Sequence, residues 1–201
     1  MFSPPIPMYT HHIKTEKVSV FYPSLLIQNK NIQLKINRQI QLTVRKLMEQ
    51  QGVNNEYLVE MLGYYEQKTN ERDIVSLTFN NYTFSGGAHG LTILKSLTFN
   101  VKNGKSYELS DLFKKGSPYV ERISNIIRRQ IKERDIFLLD PPFKTIKPNQ
   151  EFYLADKTIV IYFQLYDLTP YVFGFPFFPI SLYELEDLID EKGPLQILIA
   201  N

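Results

Sequence analysis

The stretch "DIVSLTFNNYTFSGGAHGLTILKSLTFNVKNGKSYEL", Asp73–Leu109, decides the fold. In its first part Val75, Leu77 and Phe79 alternate with Ser76, Thr78 and Asn80, so the period of two predicts a strand over 73–84 with one side buried and the other wet. After the glycine segment, Leu91, Ile93, Leu97, Phe99 and Val101 share one face, with Lys95 as the exception. Asn103-Gly104 between apolar runs is a strong hairpin signal. Connections this short join antiparallel strands, because a parallel crossover needs a dozen residues or more.

Working outward, a second strand-like run over 56–67 precedes the first and is joined to it by "KTNER", which predicts a long hairpin. Upstream, Ile36, Ile40, Val44, Leu47 and Met48 draw an apolar stripe along a helix from about Asn31 to Gln51, and Gly52 supplies the left-handed stop. "KVSVFYP" reads as a strand through Val18, Val20 and Tyr22 that Pro23 ends. Pro4, Pro5 and Pro7 favour an extended start, so the ordered fold is expected to begin near His12, with His11 and His12 in a mobile terminus.

Downstream, Ser117 before Pro118 predicts an N-cap with proline at the first helical position, opening a helix whose buried stripe is Val120, Ile123, Ile127 and Ile131. "KTIVIYFQLY" is apolar on both faces and reads as a central strand. Ser181 is placed to cap a short helix carrying Leu182, Leu185 and Leu188. The whole is expected to be an α+β fold, an antiparallel sheet with helices packed on it. It divides into two intimately joined modules: 12–84 with a strand, long helix and hairpin, and 85–201 with strands, a helix, the central strand and a short helix.

Composition narrows the function. The chain has 201 residues, 43% of them hydrophobic, enough for a self-sufficient core. Its 23 basic and 21 acidic residues leave a net charge of +2, so nucleic acid is not expected as a partner. "RRQIKERD", Arg128–Asp135, lacks interleaved aromatics and reads as a solvated helix face. Cysteine is absent, which removes disulfides and thiol chemistry. No apolar stretch is long enough to span a membrane, so no membrane insertion is expected. The opening "MFSPPIPMYTHH" lacks a signal-peptide pattern, which leaves a cytoplasmic location and an export segment outside this chain both open.

In "SGGAHG" a serine, two glycines and a histidine lie together, but the nucleophile-elbow order G-x-S-x-G is missing and a base four residues downstream is unusual. A hydrolase using His89, metal-assisted or not, is therefore the alternative, and a positive-φ turn the simpler reading. His11 and His12 give His89 no metal-ligand spacing. No catalytic residue, metal ligand or cofactor is assigned. The acidic run Glu184, Glu186, Asp187, Asp190 and Glu191 reads as an exposed polar face. Eight aromatic residues between Tyr162 and Phe178 are expected to serve mainly as core. Pro170, Gly174, Pro176 and Pro179 break that segment into loop, which exposes some of the rings.

"VSVFYPSL", "INRQI", "YTFSGGAHG", "FNVKNGKSYELSDLF" and "YFQLYDLTPYVFGFPFFPIS", in that order, resemble the paired domains of unknown function in the extracellular, lysozyme-sensing region of anti-sigma-V factors of the RsiV type. They are similar also to the module preceding the catalytic domain of some cell-wall polysaccharide deacetylases. The resemblance implies an extracytoplasmic, non-catalytic recognition module at the cell envelope, binding lysozyme or a cell-wall glycan. It places the recognition edge at Ser85, Gly86, Gly87 and His89 and at Tyr166, Pro170 and Tyr171. A structural role in an envelope assembly is the further alternative.

Overall fold

The computed structural model describes residues 4–200. It forms two compact units, one ending at Ser106 and the other beginning at Tyr107. The division falls later than the 84/85 boundary expected from the sequence. The reason is strand pairing: the two strands after the glycine loop complete the first sheet instead of opening a second.

The first unit is a six-stranded sheet in sequence order: β1 (Met8–Lys14), β2 (Val18–Leu25), β3 (Glu60–Glu71), β4 (Ile74–Phe84), β5 (Leu91–Asn100) and β6 (Lys105–Ser106). All neighbours pair antiparallel except β2 and β3, which run parallel over Val18–Val20 and Met61–Gly63. That exception is the connection carrying helix α1 (Lys30–Gln50), long enough for a crossover. Asn29 opens α1 by accepting from Asn31 N at 3.1 Å and Ile32 N at 3.3 Å. Gly52, at φ +75, closes it as expected. Ile36, Ile40, Val44, Leu47 and Met48 are the buried stripe and pack in one core with Val18, Val20, Met61, Val75, Leu77, Phe79 and Phe99.

Four local expectations are corrected. β1 exists, so His11 and His12 lie in a paired strand: His11 faces Tyr22 and His12 faces Phe21, each stacked ring on ring. Ile6 and Pro7 before it are held as well, because Asn70 bonds both the N–H and the carbonyl of Ile6 and Pro7 O accepts from Leu26 N; residues 1–3 lie outside the described residues. Pro23 does not end β2, since it sits beyond the segment that pairs with β3. "KTNER" is mostly strand, and the β3–β4 turn is the pair Arg72 and Asp73 at φ +50 and +63, the twist a two-residue hairpin requires. Ser76, Thr78 and Asn80 are buried rather than wet, and Ser76 Oγ pairs with Thr98 Oγ1 at 2.9 Å.

The second unit holds a three-stranded antiparallel sheet of β7 (Phe152–Ala155), β8 (Thr158–Tyr162) and β9 (Phe177–Ser181), with β8 central as expected. Helix α2 (Tyr119–Glu133), a 3₁₀ helix over Leu182–Leu188 and α3 (Pro194–Ile199) complete it. Neither predicted serine cap forms. Pro118 takes the cap position of α2 and Ser117 Oγ is buried without a partner, while Ser181 precedes the 3₁₀ helix without a side-chain bond. Leu182, Leu185 and Leu188 recur every third residue and all are buried, which suits three residues per turn.

The two charge runs read as solvated faces meet each other. Arg122 holds both carboxylate oxygens of Asp187 at 3.2 and 3.0 Å, and Arg129 reaches Glu184 at 2.7 Å. The hydrogen bond and charge of Glu184 raise the Arg129 pKa further above its ordinary value. Arg134 donates to Phe177 O at 2.8 Å and lies over the Phe178 ring, and Gln130 donates to Pro179 O at 2.7 Å. Arg128 donates to Lys144 O at 2.8 Å. This helix face is exposed, as expected, and is in addition tied to its own unit by directional bonds.

Gly63 stands between β2 and β4, where an added Cβ would lie 2.7 Å from both Val20 Cγ1 and Asn81 Oδ1. Gly63→Ala should destabilise the first unit by about 1–3 kcal/mol in urea unfolding, because the buried Val20 and Asn81 side chains must shift to admit the methyl group. A double-mutant cycle on Arg122 and Asp187 should give a coupling below about 1 kcal/mol that shrinks with salt, since both side chains are largely exposed.

Candidate functional site

The loop between β4 and β5 presents Ser85, Gly86, Gly87, Ala88 and His89 as a run of exposed residues. Gly86 and Gly87 lie at φ +93 and +96, a region that disfavours side chains, yet an added Cβ at either would meet nothing within 4 Å. Their requirement is conformational, not steric. Gly90 is the opposite case: it is buried, and a Cβ there would fall 2.4 Å from the Tyr82 ring and 2.6 Å from Thr83 O.

The base of this loop is fixed by polar contacts the sequence did not announce. Gln51, the C-cap of α1, donates to Leu91 O at 2.9 Å and accepts from Asn81 Nδ2 at 2.8 Å, linking helix end, central strand and loop exit. Val59 N closes the entry side on Phe84 O at 2.9 Å. The only advance signal was an asparagine at a core-facing strand position, Asn81, which needs a partner if buried.

His89 sits on the surface with Nδ1 2.8 Å from Gly90 O. A carbonyl can only accept, so Nδ1 carries the proton and the lone pair of the neutral ring is on Nε2. Among the described residues no three His, Asp or Glu side chains converge in a way that could hold a metal ion. The arrangement offers backbone amides and carbonyls on an exposed turn.

In the second unit, the segment leading from β8 to β9 holds the other predicted residues. The expected long strand stops at Tyr162, and Tyr166 adopts φ +68, turning the chain outward. Pro170 then opens a short 3₁₀ turn, Tyr171–Phe173, which Gly174 closes at φ +68. Asp167 accepts from Gln164 N at 3.3 Å, and Leu168 O accepts from Leu139 N at 3.0 Å, so the loop is anchored from both sides. Gln164 also bonds the Glu151 carboxylate.

This segment sorts its rings. Tyr162, Phe163 and Phe178 are buried, as the core reading expects. Tyr166 is 50% exposed with its ring 5.6 Å from that of Tyr171, Val172 is 85% exposed, and Phe173 stacks on the exposed Phe137 at 6.3 Å. Beneath them Thr169 Oγ1 is buried without a partner. Phe137 and Val172 were not anticipated. Phe137 lies beyond α2, far in sequence from the rings it joins. The first unit thus presents Ser85 to His89, and the second presents Tyr166, Pro170 and Tyr171 with their apolar neighbours.

Solved structures share this fold. A DUF3298 family protein from Pseudomonas aeruginosa superposes with a TM-score of 0.73 over 93% of this chain and 95% of that one, at 14% identity. A member of the same family from Bacteroides fragilis gives 0.66 over 100% and 98%, also at 14% identity. These two show the shared fold.

Residues 110–183 match the family described as Protein of unknown function (DUF3298), and residues 12–92 match the family described as Deacetylase PdaC. Two Bacillus subtilis proteins are similar over most of the chain. The anti-sigma-V factor RsiV is 28% identical over 88% of this chain and 68% of its own length. The peptidoglycan-N-acetylmuramic acid deacetylase PdaC is 25% identical over 89% of this chain. The chain spans 40% of the length of that deacetylase. The resemblance read from the sequence is borne out by both.

Gly87→Val should cost about 1–3 kcal/mol of local backbone strain and leave the unfolding transition cooperative, because an added Cβ there meets no atom within 4 Å. Gly90→Ala should perturb the sheet itself, seen as faster amide exchange in β4 and β5, since it must displace the Tyr82 ring or the Thr83 carbonyl.

Proposed function

We propose that this chain is a non-catalytic extracytoplasmic recognition module that binds lysozyme or a cell-wall glycan. The reading is carried by the segment from Tyr166 to Gly174, which holds Tyr166, Tyr171 and Phe173 at the surface by backbone geometry at both ends. Rings fixed in place lose little entropy on binding, and tyrosine offers both apolar area and a hydroxyl to a protein or a sugar. Pro170 presets the turn between the two tyrosines. On the first unit, the backbone around Gly86 and Gly87 adds exposed donors and acceptors, with Ser85 and His89 beside them.

Similarity to an anti-sigma factor and to a peptidoglycan deacetylase supports an envelope setting for such a module. A hydrolase centred on His89 is disfavoured by the ring's exposure, which offers no dry pocket to strengthen a base.

Isothermal titration of the chain with a c-type lysozyme and with soluble peptidoglycan fragments tests the proposal. Saturable binding to one of them is expected, weakened about tenfold or more by Tyr166→Ala with Tyr171→Ala while the melting temperature is kept. Heat of binding from neither ligand would defeat the reading.

A further inference from the structure

Helix α1 buries one stripe and shows another. Opposite Ile36, Ile40 and Val44, the exposed positions run Leu34, Arg38, Leu42 and Arg45, flanked by Lys30, Lys35 and Lys46. Five cations stand on this helix against the single carboxylate of Glu49. From Lys30 to Lys46 they extend over about 24 Å at the ordinary helical rise. The turn after β5 adds to them: a Cβ on Gly104 would lie 3.3 Å from Ile32 and 3.5 Å from Lys35, so the exposed Lys102 of that turn sits beside the first half of the helix.

These cations differ in kind from those of the second unit. There, Arg122 and Arg129 are bound to Asp187 and Glu184, and Arg128 and Arg134 to main-chain carbonyls, so these cations are engaged within their own unit. Among the described residues, Lys35, Arg38, Arg45 and Lys46 have no ion-pair partner. Up to Ser106 the chain carries 12 basic and 7 acidic residues, and from Tyr107 onward 11 and 14. The small net charge of the whole therefore conceals a basic unit and an acidic one.

We infer that the outer face of α1, with Lys102, docks on an anionic phospholipid surface, the helix lying flat on the headgroups. Charge complementarity calls for an anionic partner, and the leucines choose which kind. Leu34 is 67% exposed and Leu42 45%, in line with Arg38 and Arg45 along the helix. A dissolved polyanion offers nothing apolar for them to enter. A bilayer has its hydrocarbon just beneath the phosphates that the arginines and lysines would hold. The helix does not cross the bilayer, because no described helix is long and apolar enough to do so. This face shares no residue with the two recognition loops, so its role stands or falls independently of theirs.

Co-sedimentation of the whole chain with vesicles tests the assignment. Binding is expected to mixed phosphatidylglycerol and phosphatidylcholine vesicles and not to phosphatidylcholine alone, and it should fall steeply as salt is raised. Arg38→Gln with Arg45→Gln and Lys46→Gln should lower partitioning about a hundredfold, because each basic residue near such a surface contributes about fivefold. All three positions are exposed, so an unchanged circular dichroism melt will show that the fold persists. Leu34→Ser with Leu42→Ser should lower partitioning several-fold at unchanged charge. Equal binding by the triple variant, or no binding by the parent chain, would overturn the proposal. So would full binding by the leucine variant together with displacement of the parent chain from vesicles by inorganic polyphosphate, which would assign the face to a soluble polyanion.

Discussion

Burial of β4 on both faces and along both edges is the constraint from which the rest of the first unit follows. Ile74 to Asn81 are buried in unbroken succession, with β3 on one side and β5 on the other. Val75, Leu77 and Phe79 meet the α1 stripe, while Ser76, Thr78 and Asn80 alternate with them as polar residues, Ser76 pairing with Thr98 and Asn80 Nδ2 lying buried without a partner. A one-residue slip would exchange these two sets, placing hydroxyls against α1 and isoleucine-sized side chains among hydroxyls, so the register is strongly specified. The glycine loop inherits its position from that register, because Thr83 pairs with Leu91 and only the residues between them are left to turn.

Charge has a different part in each unit. In the second it is internal, with arginines of α2 spent on carboxylates of the 3₁₀ helix and on carbonyls of β9. Exposed pairs of this type add little stability singly, but bidentate geometry fixes which faces meet. In the first unit the long helix carries its cations outward. Composition averaged over the chain hides this division, since the two balances nearly cancel.

The two exposed loops were legible as loops and not as surfaces. Gly86-Gly87 and the Pro170 to Gly174 run are signals any reader can find, and both segments turn where expected. Their supports were invisible: Gln51 reaches Asn81 and Leu91 across the sequence, and Phe137 joins Phe173 from beyond α2. Gly90, the least conspicuous glycine of "SGGAHG", is the one whose side chain has no room. The serine caps do not form for the same reason, since sequence neighbours alone mark Ser117 and Ser181 as caps while packing sets the local geometry.

Period and punctuation were enough to draw the α+β class, the α1 stripe, the β4 alternation, the Asn103-Gly104 turn and the central place of β8. Each depends on residues within a few positions of one another, where steric preference and amphipathic spacing act directly. Partner choice depends on which distant segments meet, and that is a property of the assembled core. Contact between remote segments made the polar β1 a strand, set β2 parallel to β3, moved β5 and β6 into the first unit and bound the basic run of α2 to the acidic run near the C-terminus.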